Sequence, residues 1–287
     1  MANQTTLRRA VTLAGIGQHK GTENIVHIMP APENGGIVFR LRRGGAKKDF
    51  PLSVENVFGE AGYTSIGEKV GFSLKTIEHV VSAIHGLSLD NLMIDTDSLE
   101  MPIFDGSALP VFKKLAAAGS VEQGAPRRAI KVLRRVEFMD EKAAVSLEPA
   151  SRGLSLDIEI DYPGIRPIGR QHIALDLTRE NYERIIAPAR TFARMSDVEF
   201  LHSKGLALGA SMKSGIAVDE ERVLNPEGLR APDEFVAHKA LDAVGDLYAA
   251  GRTLVGAYKS LRGGHYHNGM LMKKLLSDPA NFEIVEA

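Results

Sequence analysis

The chain has 287 residues, 44% hydrophobic and 25% charged, enough apolar material for one large domain or two of moderate size. Acidic and basic residues nearly cancel, leaving a formal charge of -1, which argues against broad nucleic-acid binding. Cysteine is absent, so disulfides, thiolate nucleophiles and Cys-based zinc or iron–sulfur sites are excluded.

In chain order, MANQTTLRRAVTLAGIGQHKG sets Arg8 and Arg9 before a short alternating run that Gln18, His19 and Lys20 break. It reads as strand and turn rather than signal peptide. No apolar stretch approaches the roughly 18 to 20 residues that span a bilayer, so the expectation is a soluble, cytoplasmic protein. NIVHIMPAPENGGIVFRL holds two strand-like runs around Pro32, Asn34, Gly35 and Gly36, as a hairpin or a looser turn. Within SLKTIEHVVSAIHGLSLDN, Ile77, Val80, Val81 and Ile84 recur at helical spacing, and Gly86 is placed as a stop. NLMID then reads as a strand, and MPIFDGSALPVFKKLAAAG as a turn into a helix ended by Gly119. GAPRR, residues 124–128, is the linker candidate.

Beyond it the order restarts. AIKVLRRVEFMD, AAVSLEPA and LSLDIEIDY are strand-like, and TRENYERIIAPAR is helical until Pro188. Residues 191–225 mix short apolar runs with glycines and take no assignment. A helix from Asp233 has acids in its first turn and Gly251 beyond its end. TLVGAYKS reads as a strand, RGGHYHNG as a glycine loop, and GMLMKKLL as a last short helix. Both halves thus run strands, then helices, which suggests two α+β domains of related architecture.

Three stretches could carry chemistry. On the helix from Asp233, His238, Asp242 and Asp246 fall at i, i+4 and i+8, one above another. Side chains four apart have Cβ atoms about 5–6 Å apart, close enough for an imidazole and a carboxylate to share one zinc ion. An isolated pair of this kind is equally a solvated helix face. In the first half His79 lies beside the apolar stripe of its helix, with Glu78 turned about 100° away, where a carboxylate would reach a metal-bound water. Gly263 and Gly264 deliver His265 and His267, and Asp246 would orient a protonated His265 toward developing charge.

Six stretches, GIGQHKG, TIEHVVSAIHGLSLDN, MPIFDGSALP, ARTF, DEFVAHKALDAVGDL and GGHYHN, resemble in order and spacing the motifs of the UDP-3-O-acyl-N-acetylglucosamine deacetylase family, the zinc amidases of lipid A biosynthesis in Gram-negative bacteria. The resemblance runs nearly end to end. It implies zinc, with ferrous iron as an alternative, held by His79, His238 and Asp242. It implies Glu78 as general base, and His265 with Asp246 beside it as support for the oxyanion or donor to the amine. It implies Thr191 as an oxyanion contact, and Phe192 and Lys239 as sugar-side contacts. The implied fold is two two-layer α+β domains, 1–125 and 126–287, packed helix to helix around the site. An insert in the second carries the acyl chain, with Leu201, Leu206, Ala207, Leu208, Ala210 and Met212 as its lining.

The implied partner is the UDP-linked acyl sugar, without nucleic acid or stable membrane insertion; a transient membrane contact and a monomeric state are expected. His267 stands where the family more often has an apolar residue, and Tyr63 where some relatives carry cysteine. Two other readings remain. A zinc peptidase would carry H-E-x-x-H on one helix, which is absent here. A non-catalytic UDP-sugar or acyl-chain binder would be expected to have lost a ligand or the base, and this chain keeps them all.

Overall fold

The computed structural model describes residues 2–60 and 62–287. The first half opens with β1 (Asn3–Leu7), β2 (Val11–Ile16), β3 (Glu23–Pro30), β4 (Ile37–Arg43) and β5 (Ala46–Pro51). Three short strands follow, β6 (Val57–Gly59), β7 (Thr64–Gly67) and β8 (Ser73–Lys75), then α1 (Glu78–Gly86), β9 (Leu92–Thr96), α2 (Leu109–Ala118) and β10 (Ser120–Pro126). Strands β2-β3-β9-β4-β5 form one sheet, β6-β7-β8 a second, and β1 pairs β10. In β3, Asn24, Val26 and Ile28 are buried while Glu23, Ile25 and His27 face solvent, the period of two that seats one sheet face on a core. The apolar runs flanking Asn34 do not form a hairpin. β9 lies between β3 and β4, so the connection is the looser turn.

The second half contains β11 (Arg128–Val132), β12 (Val136–Met139), β13 (Ala144–Glu148), β14 (Leu154–Tyr162) and β15 (Gly169–Asp176). Next come α3 (Arg179–Asn181), which runs on as a π turn over Tyr182–Ile186, then β16 (Phe192–Arg194), α4 (Met195–Ser203) and β17 (Ile216–Val218). The chain ends with α5 (Glu234–Leu247), β18 (Thr253–Leu261), α6 (His265–Leu276) and β19 (Phe282–Glu286). Seven of these strands make one mixed sheet in which β18 is parallel to β11 and β14 and antiparallel to β13. The fold is therefore mixed α+β, with no barrel among the described residues.

The helices α1 and α5 meet at the centre. All nine residues of α1 are buried, and so are thirteen of the fourteen in α5, Lys239 being the exception. A helix apolar on one face only would leave its other face wet; these two are covered all round. Their backbones approach closely because Gly245 has no side chain: a Cβ there would sit 2.2 Å from the carbonyl oxygen of Glu78. At the far end the Tyr248 hydroxyl donates to the Leu89 carbonyl at 3.0 Å. No helix among the described residues is long and apolar enough to cross a membrane.

Ser73–Lys75 belongs to β8, and Thr76 takes φ 60°, so α1 begins at Glu78. The structure departs from the sequence reading at two places. Residues 124–128 are no loose linker but the end of β10 and the start of β11. Glu33 accepts from the N–H groups of Gly124 and Ala125, and Arg127 forks onto Asp90. His265 is not on a loop: it is the first residue of α6, because extended backbone at Gly264 starts the helix four residues earlier than GMLMKKLL suggests.

The Gly245 contact gives a direct test. Gly245→Ala forces α5 away from α1, and overpacking of this kind costs about 1–3 kcal/mol or more. Urea unfolding should show a lowered midpoint; an unchanged midpoint would mean the helices are not in backbone contact.

Candidate active site

Where α1 and α5 touch, five ionisable side chains lie buried together: Glu78 and His79 from α1, and His238, Asp242 and Asp246 from α5. One ligand atom each from His79, His238 and Asp242 lies within 4.8 Å of the others. His238 Nε2 is 3.4 Å and His79 Nε2 3.9 Å from Asp242 Oδ1. Atoms held at about 2.0–2.2 Å around a tetrahedral zinc stand roughly 3.3–3.6 Å apart, close to these two separations.

The chemistry of these donors also fits a cation. His238 Nδ1–H donates to the Ala189 carbonyl at 3.0 Å, which leaves the Nε2 lone pair facing the pocket. Burial, with His238 adding, pushes His79 down to about 3, so its imidazole is neutral and able to ligate. His79 Nδ1 is buried without a hydrogen-bond partner among the described residues. Burial opposes the Asp242 charge, yet Lys239 and His238 hold its carboxyl well below the usual carboxylate range. Lys239 Nζ donates to Asp242 Oδ2 at 2.7 Å, and in spite of burial that carboxylate holds its pKa above the ordinary lysine value.

Glu78 is 2% exposed, and burial pushes its carboxyl up to about 8. Its Oε2 accepts from the Thr64 N–H at 2.9 Å. Asp246 accepts from three donors: the Thr64 hydroxyl at 2.7 Å, the Asn268 amide at 2.8 Å and His265 Nδ1 at 2.9 Å. Burial pushes His265 down, but Asp246 and Asp242 outweigh it and raise the imidazole to about 9. Its Nε2, 3.9 Å from Asp242 Oδ2, is thus a charged donor at neutral pH.

Glu78, His79, His238, Lys239, Asp242 and His265 line one cavity of about 390 Å³, and Thr191, Phe192 and Tyr162 stand on its wall. Asp246 is not on that wall; it lies behind His265, bonded to Nδ1. Thr191 is held from both halves. Its N–H donates to Gly106 in the FDGS turn at 2.8 Å, and Ile216 donates to its carbonyl at 2.7 Å. The preceding Arg190 is 4% exposed and binds Glu234 of α5 through Nε at 2.8 Å and Nη2 at 3.1 Å.

A second, apolar cavity of about 270 Å³ opens from the first, sharing Gln18, Thr191 and Phe192. Its further wall includes Met195, Val198, His202, Met212, Ile216 and Ala217. Of the six residues expected to line an acyl passage, Ala210 and Met212 line this apolar cavity. Leu201, Leu206, Ala207 and Leu208 do not. Ala207, at φ 51°, is buried away from the cavity, and the three leucines stand exposed. The Leu206 N–H returns to the Leu201 carbonyl and the Leu208 N–H crosses to His19, turning this stretch away from the cavity.

Sequence reasoning gave no role to Gln18, His19 or Tyr162, which all line the main cavity. His19 Nδ1 lies 2.6 Å from buried Glu100, and its backbone N–H donates to both carboxylate oxygens at 3.0 Å. The GIGQHKG motif was the signal for it. Tyr63 stacks edge-on to His19 at 4.4 Å and donates to Glu60. His267 pairs with Asp140 at 3.0 Å.

Residues 4–277 match the family model described as LpxC, UDP-3-O-acyl N-acetylglycosamine deacetylase. Curated relatives include proteins named UDP-3-O-acyl-N-acetylglucosamine deacetylase from three bacteria. That of Wolinella succinogenes is 43% identical over 283 residues, covering 98% of this chain and 93% of the relative. That of Pseudoalteromonas atlantica is 40% identical over 287 residues, covering 99% and 94%. That of Coxiella burnetii strain CbuK_Q154 is 38% identical over 286 residues, also covering 99% and 94%.

Two measurements check this geometry. In metal-free protein the His265 imidazole should titrate above pH 8, and Asp246→Asn should lower that pKa by about one unit or more; a wild-type value near 6.5 would remove the pair. The sign follows from the raised folded pKa. Stability from this pair is complete below about pH 6.5 and is lost as pH rises through 9. Separately, Glu234→Ala removes the two-point partner of the buried Arg190 guanidinium, which keeps Glu227 and the Gly228 carbonyl, each at 2.8 Å, and should cost about 1.5–3 kcal/mol in chemical unfolding. A loss under about 1 kcal/mol would mean Arg190 is solvated.

Proposed function

The chain belongs to the UDP-3-O-acyl-N-acetylglucosamine deacetylase family, and from that premise we propose that it removes the N-acetyl group of UDP-3-O-acyl-N-acetylglucosamine, an early step in making lipid A. The observation that carries this reading is the joining of His79, His238 and Asp242 to an acid–base pair, Glu78 and His265, on one cavity wall. The amidase reading leaves no member of the set idle, whereas a mere binder of the sugar has no use for a buried base beside a ligand set.

His79, His238 and Asp242 would hold the cation; two imidazoles and a carboxylate suit zinc, and ferrous iron accepts the same donors. A bound divalent cation supplies a Lewis acid that lowers the pKa of a water toward neutrality, polarises the amide carbonyl and favours Glu78 as the carboxylate. Glu78 takes a proton from the attacking water, and the water's oxygen adds to the acetamide carbon. As the carbonyl oxygen gains charge, the Thr191 hydroxyl and the protonated His265 stabilise it. Asp246 keeps His265 charged and aimed. The C–N bond then breaks with a proton delivered to the amine, and Glu78 and His265 are the two groups able to deliver it. Acetate and the free amine leave.

The apolar cavity extends from Thr191 and Phe192, and in this reading it takes the 3-O-acyl chain. Phe192 and Lys239 line the main cavity, and the same reading makes them contacts of the sugar. The same reading takes 1–125 and 126–287 as two α+β domains meeting through α1 and α5, with the stretch containing α4 as the acyl insert. In its support, no described strand pairs across residue 127. A single copy holds every group named, consistent with a monomer working in the cytoplasm on a substrate that brings its own lipid.

Three variants test the reading. Glu78→Ala should retain metal at wild-type stoichiometry and lose nearly all acetate release; full turnover would remove Glu78 from the reaction. His238→Ala should lose the metal itself, and stoichiometric zinc in that variant would break the ligand assignment. Val198→Asp puts a charge into the apolar cavity and should lower kcat/KM for the acyl substrate by about tenfold or more. An unchanged kcat/KM would place the acyl chain elsewhere.

A further inference from the structure

We propose that Thr64 is a positioning residue that holds the base and the imidazole of the site at a fixed separation, through two donors on one buried residue. The inference rests on the deacetylase reading and adds a residue to it. Thr64 opens β7 and is 3% exposed. Its N–H donates to Glu78 Oε2 at 2.9 Å, and its hydroxyl donates to Asp246 Oδ1 at 2.7 Å. Its carbonyl accepts from the Ile77 N–H at 3.1 Å, at the threshold of α1. All three polar groups of Thr64 are therefore engaged. One sets where α1 begins, one sets the Glu78 carboxylate, and one sets Asp246, which lies 182 residues further along the chain.

The strand around it is a firm mount. β7 is the middle strand of β6-β7-β8, and Thr64 lies opposite Gly59 in the register of β6. Gly59 rests on the first turn of α6: a Cβ there would fall 2.3 Å from the carbonyl carbon and oxygen of His265. The same two-strand element thus touches Glu78, Asp246 and the backbone of His265. Thr64 itself does not line the cavity, so it acts only through the groups it holds.

The hydroxyl is the part that matters for His265. Asp246 has Oδ2 occupied by His265 and Asn268, and the Thr64 hydroxyl bonds the other oxygen. Without that hydroxyl, Oδ1 loses its donor in a dry interior, where a carboxylate oxygen left without a partner is unfavourable. The carboxylate then turns to recover a partner, and the imidazole it aims turns with it. The backbone donor to Glu78 survives any substitution that keeps the strand.

The test compares metal-loaded wild type, Thr64→Val, which keeps shape and backbone but lacks the hydroxyl, and Thr64→Ser, which restores it. Acetate release by the wild type comes first: its absence would sink the deacetylase reading, and Thr64 would then be judged on the spectroscopic arm alone. With wild type active, Thr64→Val should lose about 10–100-fold in kcat. KM should stay within about twofold and metal content should be full, and Thr64→Ser should recover most of the rate. An unchanged kcat in Thr64→Val would overturn the proposal, as would a Thr64→Ser variant no better than Thr64→Val, or a loss confined to KM or metal content. The spectroscopic arm is the His265 Nδ1–H proton resonance in metal-free protein. It should match wild type in Thr64→Ser and be shifted or lost in Thr64→Val; a match in Thr64→Val overturns the proposal. Should Thr64→Val not fold, Thr64→Ala removes the same hydroxyl with a smaller side chain and is read against the same outcomes.

Discussion

Everything in this molecule depends on the backbone contact between α1 and α5. A missing side chain at Gly245 lets α5 lie against the Glu78 carbonyl, and that approach drops carboxylates and imidazoles from both helices into one water-poor space. In such a space unpaired charge is expensive. The groups respond in opposite directions: His79 stays neutral, Glu78 favours its proton, Asp242 keeps its charge against Lys239, and His265 keeps its charge against Asp246. Burial and neighbouring charge thus move each group off its ordinary pKa, in a direction that its own partners set.

The walls around these helices are held by bonds that join the two halves of the chain. The FDGS turn holds the backbone of Thr191, and Arg230 reaches back to Asp105 at 2.8 Å. Glu234 at the start of α5 gathers Arg190 and the N–H of Arg230, so the segment before Thr191 and the segment before α5 share one anchor. The site is therefore not a cleft between two bodies that drift. It is a seam with polar ties on both sides, opening at Thr191 and Phe192 into an apolar passage.

The central helices and the grouping of titratable side chains on them were legible in sequence because their signals are local. Ile77, Val80 and Val81 mark α1, and the four-residue spacing of His238 and Asp242 carries its own geometric meaning. What was not legible had no local signal. Strands β6, β7 and β8 are three or four residues long, too short for alternation to register. The leucines at 201, 206 and 208 read as lining because they are apolar, yet α4 has no buried residue and the turn at Ala207 sends them outward. The glycine pair before His265 reads as a loop, though extended backbone at Gly264 is what starts α6. Thr64 could not be found at all, since its partners Glu78 and Asp246 lie 14 and 182 residues away.

The central claim is that α1 and α5 share one cation between them. Diffraction from metal-loaded crystals at the zinc absorption edge tests it most directly. The account expects one anomalous peak per chain, within about 2.0–2.2 Å of ring nitrogens of His79 and His238 and an oxygen of Asp242. A peak bonded to α5 alone, with His79 out of reach, would contradict it.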